Sequence, residues 1–151
     1  MSEIIPAILT DSFQDLQIKL DRLRDVSSWV QIDIMDGKFV PQKSIEIKDL
    51  IEVDSPLKVN FEIHLMVNDP LKYIEQCKSA KIKRVYFHIE PLKGKKEVDH
   101  VIGKIEEFGF EKGLALNPKT QVKKIEQYLS CIFKDITTTR NNWIIFTVNL
   151  L

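Results

Sequence analysis

Six short apolar runs recur along the chain, and each has the length and the β-branched or aromatic content of a β-strand. The predicted strands cover Ile4–Leu9, Trp29–Ile34, Asn60–Met66, Arg84–Ile89, Gly113–Leu116 and Trp143–Asn149. Stretches with the periodicity of an amphipathic helix lie between them. They cover residues 12–24, 44–51, 70–77 and 96–108, and a last one begins at Pro118. The pattern therefore predicts a regular alternation of strands and helices.

This alternation favours a parallel sheet whose strands are joined by right-handed helical crossovers. Two architectures fit it, an open doubly wound sheet and a (β/α)₈ barrel. No glycine-rich dinucleotide or Walker loop follows the first predicted strand, which weakens the nucleotide-binding form of the open sheet.

Polar side chains share one face of the predicted strands, because successive positions in a strand point to opposite sides. In the second strand, Gln31 and Asp33 lie opposite the apolar face formed by Val30, Ile32 and Ile34. The following strands continue the polar face with Glu62, His64, Arg84, Tyr86, His88, Glu90 and Asn117. In a barrel such faces converge, and active sites are built at the carboxyl ends of the strands.

The composition narrows the classes of protein. Lys and Arg total 22, as do Asp and Glu, so the formal net charge is zero, and 44% of the residues are apolar. These values exclude general disorder and argue against nucleic-acid binding, which requires a basic excess. No apolar run approaches the ~20 residues of a membrane span. The start of the sequence does not resemble a secretory signal, and Cys77 and Cys131 form no CxxC motif. We therefore expect a cytoplasmic protein that forms one domain over residues 1–151.

Several motifs, taken in order, resemble those of the ribulose-phosphate 3-epimerase family. The segment VQIDIMDGKFVP at 30–41 is similar to the family's second-strand signature, and EIHLMV at 62–67 is similar to its third-strand motif. The segments IIPAIL, FHIE, GLALNP and FTVN are similar to its first, fourth, fifth and sixth strands. The order and spacing of these motifs are more specific than any one of them, and the resemblance extends from Ile4 to Asn149.

The resemblance implies a TIM barrel that interconverts ribulose 5-phosphate and xylulose 5-phosphate by proton transfer at C3. It also implies a divalent metal ion, zinc or iron, as cofactor. Asp33 matches the family's first catalytic and metal-binding carboxylate. His64 matches its third-strand histidine, a metal ligand that also faces the substrate. Met35 and Met66 match the methionines that line the substrate.

The chemistry of the implied reaction requires such groups. Removing a proton beside a carbonyl leaves a negatively charged enediolate, which a cation bound to its oxygens stabilises. Inverting the carbon requires an acid–base group on each face. The motifs identify Asp33 as one of these groups, and Glu90, at the end of the fourth predicted strand, is the nearest candidate for the other.

The chain also departs from the family pattern. Gln31 replaces a histidine, which weakens the expected metal site because Gln is a poor ligand for zinc or iron. Ala7 replaces a substrate-contacting serine, and Phe146 replaces a methionine. The sequence ends at Leu151, before the family's phosphate loop and second catalytic Asp. We therefore expect an incomplete barrel, C-terminally truncated, with about six of the eight β/α units.

These departures leave two hypotheses about function. The first is an epimerase-family enzyme whose chain is inactive or nearly inactive alone. The second is a non-catalytic, barrel-like protein that binds a sugar phosphate or another protein. In both cases open strand edges predict self-association into a homo-oligomer, and neither nucleic acid nor a membrane is an expected partner.

Overall fold

The structure, a computed structural model, describes residues 4–53, 59–78, 81–129 and 142–146. Its strands are β1 (Ala7–Ile8), β2 (Trp29–Met35), β3 (Asn60–Met66), β4 (Ile82–His88), β5 (Glu111–Leu116) and β6 (Asn142–Phe146). Its α-helices are α1 (Phe13–Leu23), α2 (Pro70–Cys77) and α3 (Lys95–Glu107), and 3₁₀ helices cover Ile47–Leu50 and Val122–Tyr128. The predicted alternation of strands and helices is confirmed.

The six strands form one parallel sheet in the order β1-β2-β3-β4-β5-β6, so that neighbours in the sheet are neighbours along the chain. A doubly wound sheet reverses its strand order at a switch point, whereas a (β/α)₈ barrel keeps it sequential. The observed order is therefore that of a barrel-type fold and decides between the two architectures. The total number of β/α units stays a prediction.

One face of the sheet is apolar and carries the helices. Each helix contributes a buried stripe, as the periodicity of the sequence predicts. The side chains in this core include Leu16 and Leu20 of α1, Ile74 of α2, Val101 and Ile105 of α3, and Ile32, Ile63, Val85 and Leu114 of the strands. Burial of this face leaves the opposite face of the sheet for the polar side chains.

Local sequence signals set the ends of the helices. The Ser12 hydroxyl accepts a hydrogen bond from the backbone N–H of Asp15 and so caps α1. Pro70 is the first residue of α2, where its missing N–H costs nothing. Gly109 follows α3 with a φ of 76°, the left-handed conformation in which glycine ends a helix without strain.

Three predicted elements differ from the structure by three residues or more at one boundary. The first strand is predicted over Ile4–Leu9 but contains two residues, because Pro6 has no N–H and the Thr10 carbonyl accepts from the Ile45 N–H instead of from β2. The helix expected over 44–51 is one 3₁₀ turn. The last helix does not begin at Pro118, since the Thr120 N–H closes a turn on the Asn117 carbonyl.

Three further predictions concern the last strand, the two cysteines and membrane-spanning helices. β6 ends at Phe146, so part of the strand expected over Trp143–Asn149 lies outside the described residues, as does Cys131. Cys77 is a buried thiol whose pKa is raised by burial to about 12. In the described part of the chain, no helix combines the length and apolarity that a membrane crossing requires.

Candidate active site

Asp33 and His64 lie side by side on the polar face of the sheet. They occupy directly opposed positions of β2 and β3, and Oδ1 of Asp33 lies 3.1 Å from Nδ1 of His64. The side-chain amide of Gln31 donates a 2.8 Å hydrogen bond to the same carboxylate oxygen. The alternation along the strands thus brings together the predicted catalytic residue, the predicted metal ligand and the residue that replaces a histidine.

Met35 and Met66 end β2 and β3 and are also opposed in register. Both are buried, with 8% and 5% of their surface exposed. The backbone N–H of Met35 donates to the Ser44 hydroxyl at 2.9 Å, which fixes the end of β2. The two methionines lie one alternation beyond Asp33 and His64, so the structure places all four predicted site residues at the carboxyl ends of two adjacent strands.

His88 extends this group to β4. Its Nε2 atom lies 3.0 Å from Nε2 of His64, and the two rings are stacked with centroids 5.1 Å apart. Its Nδ1 atom lies 3.2 Å from a carboxylate oxygen of Glu90. Burial lowers the pKa of His88 by more than the hydrogen bond with Glu90 raises it. The neutral ring is therefore favoured. His88 is thus a buried, hydrogen-bonded group on the polar face that the alternation predicts, whereas its contact with His64 is not predicted.

Glu90 is held by β5 and the turn that follows it. Its Oε1 accepts hydrogen bonds from the backbone N–H of Asn117 at 2.7 Å and from the Thr120 hydroxyl at 2.6 Å. Burial raises the pKa of Glu90, but the hydrogen bonds from His88, Thr120 and Asn117 outweigh it and lower the pKa to about 2. Glu90 is therefore a fixed carboxylate. No sequence pattern predicts the Thr120 contact, because it depends on the turn at Pro118.

The Asp36–Gly37 turn after β2 has a structural role, because it links the ends of β2 and β3. Oδ1 of Asp36 accepts from the backbone N–H groups of Lys38 and Phe39, and Oδ2 accepts from that of Asn68 at 2.8 Å, beyond β3. Burial raises the pKa of Asp36, but the hydrogen bonds from these N–H groups lower it by more, so the pKa lies below its ordinary value. Gly37 has a φ of 73°, a conformation in which a residue with a side chain would be strained. The turn places the Phe39 ring beside His88, with the two ring centroids 5.0 Å apart.

The amino-terminal part of the polar face is a separate, ion-paired layer. The Arg84 guanidinium donates to Glu62 at 2.6 Å and to Glu111 at 2.8 Å, and it lies over the Trp29 ring. Burial raises the pKa of Glu62 more than Arg84 lowers it. Because Glu62 and Arg84 are buried and bonded to each other, this layer fills the interior below the site rather than contributing reactive groups.

A divalent cation fits between Asp33 and His64 as far as these two ligands are concerned. Zn–N and Zn–O bonds of about 2.0–2.2 Å put two ligand atoms roughly 3 to 3.5 Å apart, which matches the 3.1 Å between Oδ1 and Nδ1. Among the described residues, no group of three or more His, Cys, Asp or Glu side chains is arranged to hold a metal ion. The site thus offers two strong ligands, and Gln31 donates to one of them.

Comparison with known proteins places this site in a family. The sequence model of the ribulose-phosphate 3 epimerase family matches residues 3–136. The chain is 31% identical over 125 residues to the ribulose-phosphate 3-epimerase, cytoplasmic isoform, of Oryza sativa subsp. japonica, which covers 82% of the chain and 54% of the relative. It is 33% identical over 128 residues to the ribulose-phosphate 3-epimerase of Schizosaccharomyces pombe, with 82% and 55% covered.

A bacterial relative gives the same picture. The ribulose-phosphate 3-epimerase of a Synechocystis species is 32% identical over 130 residues, covering 83% of the chain and 55% of the relative. The chain thus spans about half the length of the curated relatives it matches. The matched segment includes every residue of the candidate site, from Gln31 to Thr120. The chain therefore belongs to the ribulose-phosphate 3-epimerase family.

Proposed function

We propose that the chain acts on a pentose 5-phosphate, interconverting ribulose 5-phosphate and xylulose 5-phosphate by proton transfer at C3 in a TIM-barrel-type fold. The observation that carries this proposal is the Asp33–His64 pair at the carboxyl ends of β2 and β3, within the segment that matches the family. Carboxyl ends of parallel strands are where barrel enzymes build their active sites.

In this proposal Asp33 is the catalytic base on one face of the substrate. Its carboxylate takes the proton from C3, and the electrons of the broken C–H bond form the C2–C3 double bond of an enediolate. The hydrogen bond from the Gln31 amide fixes the orientation of this carboxylate, together with its contact with the His64 ring. Return of a proton to the opposite face of C3 gives the epimer, so a second acid–base group is required there.

Glu90 does not suit that second role. Both of its carboxylate oxygens are engaged, Oε1 by Asn117 and Thr120 and Oε2 by His88. A group with its pKa lowered to about 2 is also a weak base near neutral pH. We propose that Glu90 supports the site and that another group acts on the opposite face.

A zinc or iron ion held by Asp33 and His64 would supply the positive charge that stabilises the enediolate oxygens. His64 also faces the substrate in this proposal. Met35 and Met66 line it with thioethers, which neither take up protons nor compete strongly for a hard cation. The apolar wall they form keeps water from the reacting carbon.

The proposed setting is the cytoplasm, with a sugar phosphate as substrate and a second copy of the chain as partner. One similar protein is named as a cytoplasmic isoform. The self-association rests on the strand edges and is tested separately below.

Exchange of the C3 proton in heavy water tests the proposal. The purified chain, supplied with Zn²⁺ or Fe²⁺, is incubated with ribulose 5-phosphate in D₂O, and the C3 proton signal is followed by NMR together with the appearance of xylulose 5-phosphate. We expect the signal to decay, because exchange requires the base on one face only, and we expect little or no xylulose 5-phosphate from this chain alone, because inversion requires a second acid–base group. Absence of exchange would overturn the proposal, whether or not the sugar phosphate binds.

A second candidate function is favoured by the contact between Gln31 and Asp33. An amide that donates to the carboxylate occupies an oxygen lone pair that a cation would use. The chain would then bind a sugar phosphate without turning it over. Binding of ribulose 5-phosphate without C3 exchange supports this candidate.

A further inference from the structure

A cavity of about 600 Å³ lies between the segment that follows β2 and helix α2. Lys43 and Glu46 line it from the first wall, and Tyr73 lines it from α2. Its volume lies within the roughly 300–1,000 Å³ that small-molecule sites occupy. Neither Asp33 nor His64 lines this cavity, so it is separate from the candidate active site.

Lysine side chains line the cavity from both walls. Lys38 and Lys43 belong to the segment after β2, and Lys72 belongs to α2. In the parts of the chain that the structure describes, none of these three forms an ion pair. A hydrogen bond from Lys48 holds the pKa of Glu46 below its ordinary value, and the charges of Lys43 and Lys72 lower it further. The ammonium groups of the two walls therefore lie near one carboxylate, which Lys48 already pairs at 2.8 Å, and their positive charge is available to an anion.

Groups that bind hydroxyls line the same cavity. The carboxylate of Asp69 precedes α2 but makes no capping hydrogen bond to it. Burial raises the pKa of the Tyr73 phenol, which therefore stays protonated and can donate. The side chains of Asn68 and Gln76 add amide groups, whereas the carboxylate of Asp36 is occupied by the three backbone N–H groups described above. Sugar and polyol hydroxyls both donate and accept, so carboxylate, phenol and amide groups suit them.

Hydrogen bonds to β2 fix the first wall of the cavity. The Ser44 hydroxyl accepts from the backbone N–H of Met35 at 2.9 Å, and the Ser44 N–H donates to the Met35 carbonyl at 3.2 Å. The next pair of residues, Asp36 and Lys43, forms an antiparallel bridge. A wall that is already ordered lowers the entropic cost of binding a ligand against it.

We infer that this cavity binds a phosphorylated polyol, with its phosphate on Lys43 and Lys72 and its hydroxyls on Asp69 and Tyr73. Lysine ammonium groups bind phosphate as point charges, through charge-assisted hydrogen bonds. A ligand with one anionic end and one hydroxylated end satisfies both sets of groups, whereas a bare anion would leave the carboxylate and the phenol without a partner. The inference goes beyond the proposed function and does not depend on it.

Binding is measured by NMR of the full chain during titration with glycerol 3-phosphate, which has no carbonyl and therefore no proton of the kind that the proposed reaction removes. We expect saturable shifts of the side-chain amide signals of Asn68 and Gln76. Lys43→Gln and Lys72→Gln should each weaken binding about tenfold, as loss of a charge-assisted hydrogen bond does. The matched control is Lys96→Gln, at an exposed position of α3, which should bind as the unmodified chain does.

The same titration with inorganic phosphate tests the polyol part of the inference. Glycerol 3-phosphate should bind more tightly than inorganic phosphate, and Asp69→Ala should reduce the difference. Equal affinity for the two in the unmodified chain would overturn the assignment of the ligand class. Absence of saturable shifts, or equal affinity in the unmodified chain, Lys43→Gln and Lys72→Gln, would overturn the site itself. No measurement uses turnover, so absence of C3 exchange would count against the proposed function and leave this result intact.

Discussion

The Gln31 side-chain amide donates a 2.8 Å hydrogen bond to Asp33, two residues further along β2. The same carboxylate oxygen lies 3.1 Å from Nδ1 of His64, so an amide and an imidazole meet at one oxygen. An amide nitrogen cannot bind a cation, and it lowers the electron density that the carboxylate offers to one. The balance between hydrogen bonding and metal binding at Asp33 therefore depends on position 31.

Gln31→His should tighten zinc binding. The substitution removes the amide donor and adds an imidazole nitrogen, which zinc prefers, beside two residues that already converge. We expect an increase in affinity of at least about tenfold, which corresponds to about 1.4 kcal/mol, by competition with a chelator. Gln121→His, on an exposed residue, is the matched control. Equal affinity in the unmodified chain and Gln31→His would show that these positions do not share a cation.

Asp33→Asn should abolish C3 proton exchange in ribulose 5-phosphate. The amide keeps the shape of the side chain but removes the base, and such groups contribute roughly 10²- to 10⁴-fold to a rate. Asp25→Asn, on an exposed residue after α1, should exchange at the unmodified rate. Retention of more than about a tenth of the rate in Asp33→Asn would assign the base to another residue.

Glu90 should make the stability of the fold depend on pH in the acidic range. Its pKa is about 2 in the folded protein, below its ordinary value of 4.5, so ionised Glu90 stabilises the folded state. The stabilisation is complete above about pH 4.5 and is lost as the pH falls toward 2. We expect a loss of about 1–2 kcal/mol, less than the full shift implies because the side chain is partly exposed to solvent.

Urea unfolding at a series of pH values measures this effect. The free energy of unfolding of the unmodified chain should fall more steeply between pH 4.5 and 2 than that of Glu90→Gln, which has no titrating group at this position. Thr120→Val removes one donor to the carboxylate and should give an intermediate slope. Parallel profiles for the unmodified chain and Glu90→Gln would contradict the prediction.

Arg84→Met should destabilise the fold strongly. The guanidinium is bonded to the buried Glu62, and its removal leaves that carboxylate without its cation inside the sheet. Loss of one partner of a buried ion pair costs about 3–5 kcal/mol. Arg24→Met, which removes the exposed pair with Asp21, is the control and should cost no more than about 1 kcal/mol. Similar urea midpoints for the two variants would contradict this account.

The chain should self-associate through the edge of β1. Within the described residues this strand pairs on one side only, with β2, and the neighbouring Ile4 is 88% exposed. Unpaired edges with apolar side chains pair readily with other chains. We expect dimers or larger species by light scattering and a shift toward monomer in Ile4→Lys. Val26→Lys, at an exposed position after α1, should not produce that shift, and a monodisperse monomer of the unmodified chain would contradict the prediction.

Sequence periodicity predicted the elements where side-chain pattern and local signals agree. β3 covers the predicted residues, Asn60–Met66, and α1, at Phe13–Leu23, lies within the predicted stretch of residues 12–24. β1 is shorter than predicted because Pro6 lacks an N–H and the Thr10 carbonyl bonds to the Ile45 N–H, and the apolar pattern reveals neither. The predicted boundaries are wrong where backbone hydrogen bonding, rather than side-chain burial, decides the conformation.

The same distinction applies to the site. Alternation places Asp33 and His64 on one face, and the register of β2 against β3 brings them into contact. The contact of His64 with His88 is diagonal, since His88 is paired with Ala115 and His64 with Tyr86. Such contacts depend on the twist and stagger of the sheet, which the sequence of a single strand does not encode. The anchoring of Glu90 by Thr120 requires a turn whose geometry also escapes periodicity.

The sequential strand order has a consequence for how the molecule forms. Each strand after β1 pairs with the strand made just before it, so every β/α unit can add to an edge that is already in place. Loop closure then stays within roughly one unit, which costs less chain entropy than pairing strands far apart in the sequence. During synthesis the sheet can grow in step with the ribosome, and Asp33 can meet His64 as soon as β3 docks, long before β6 is translated.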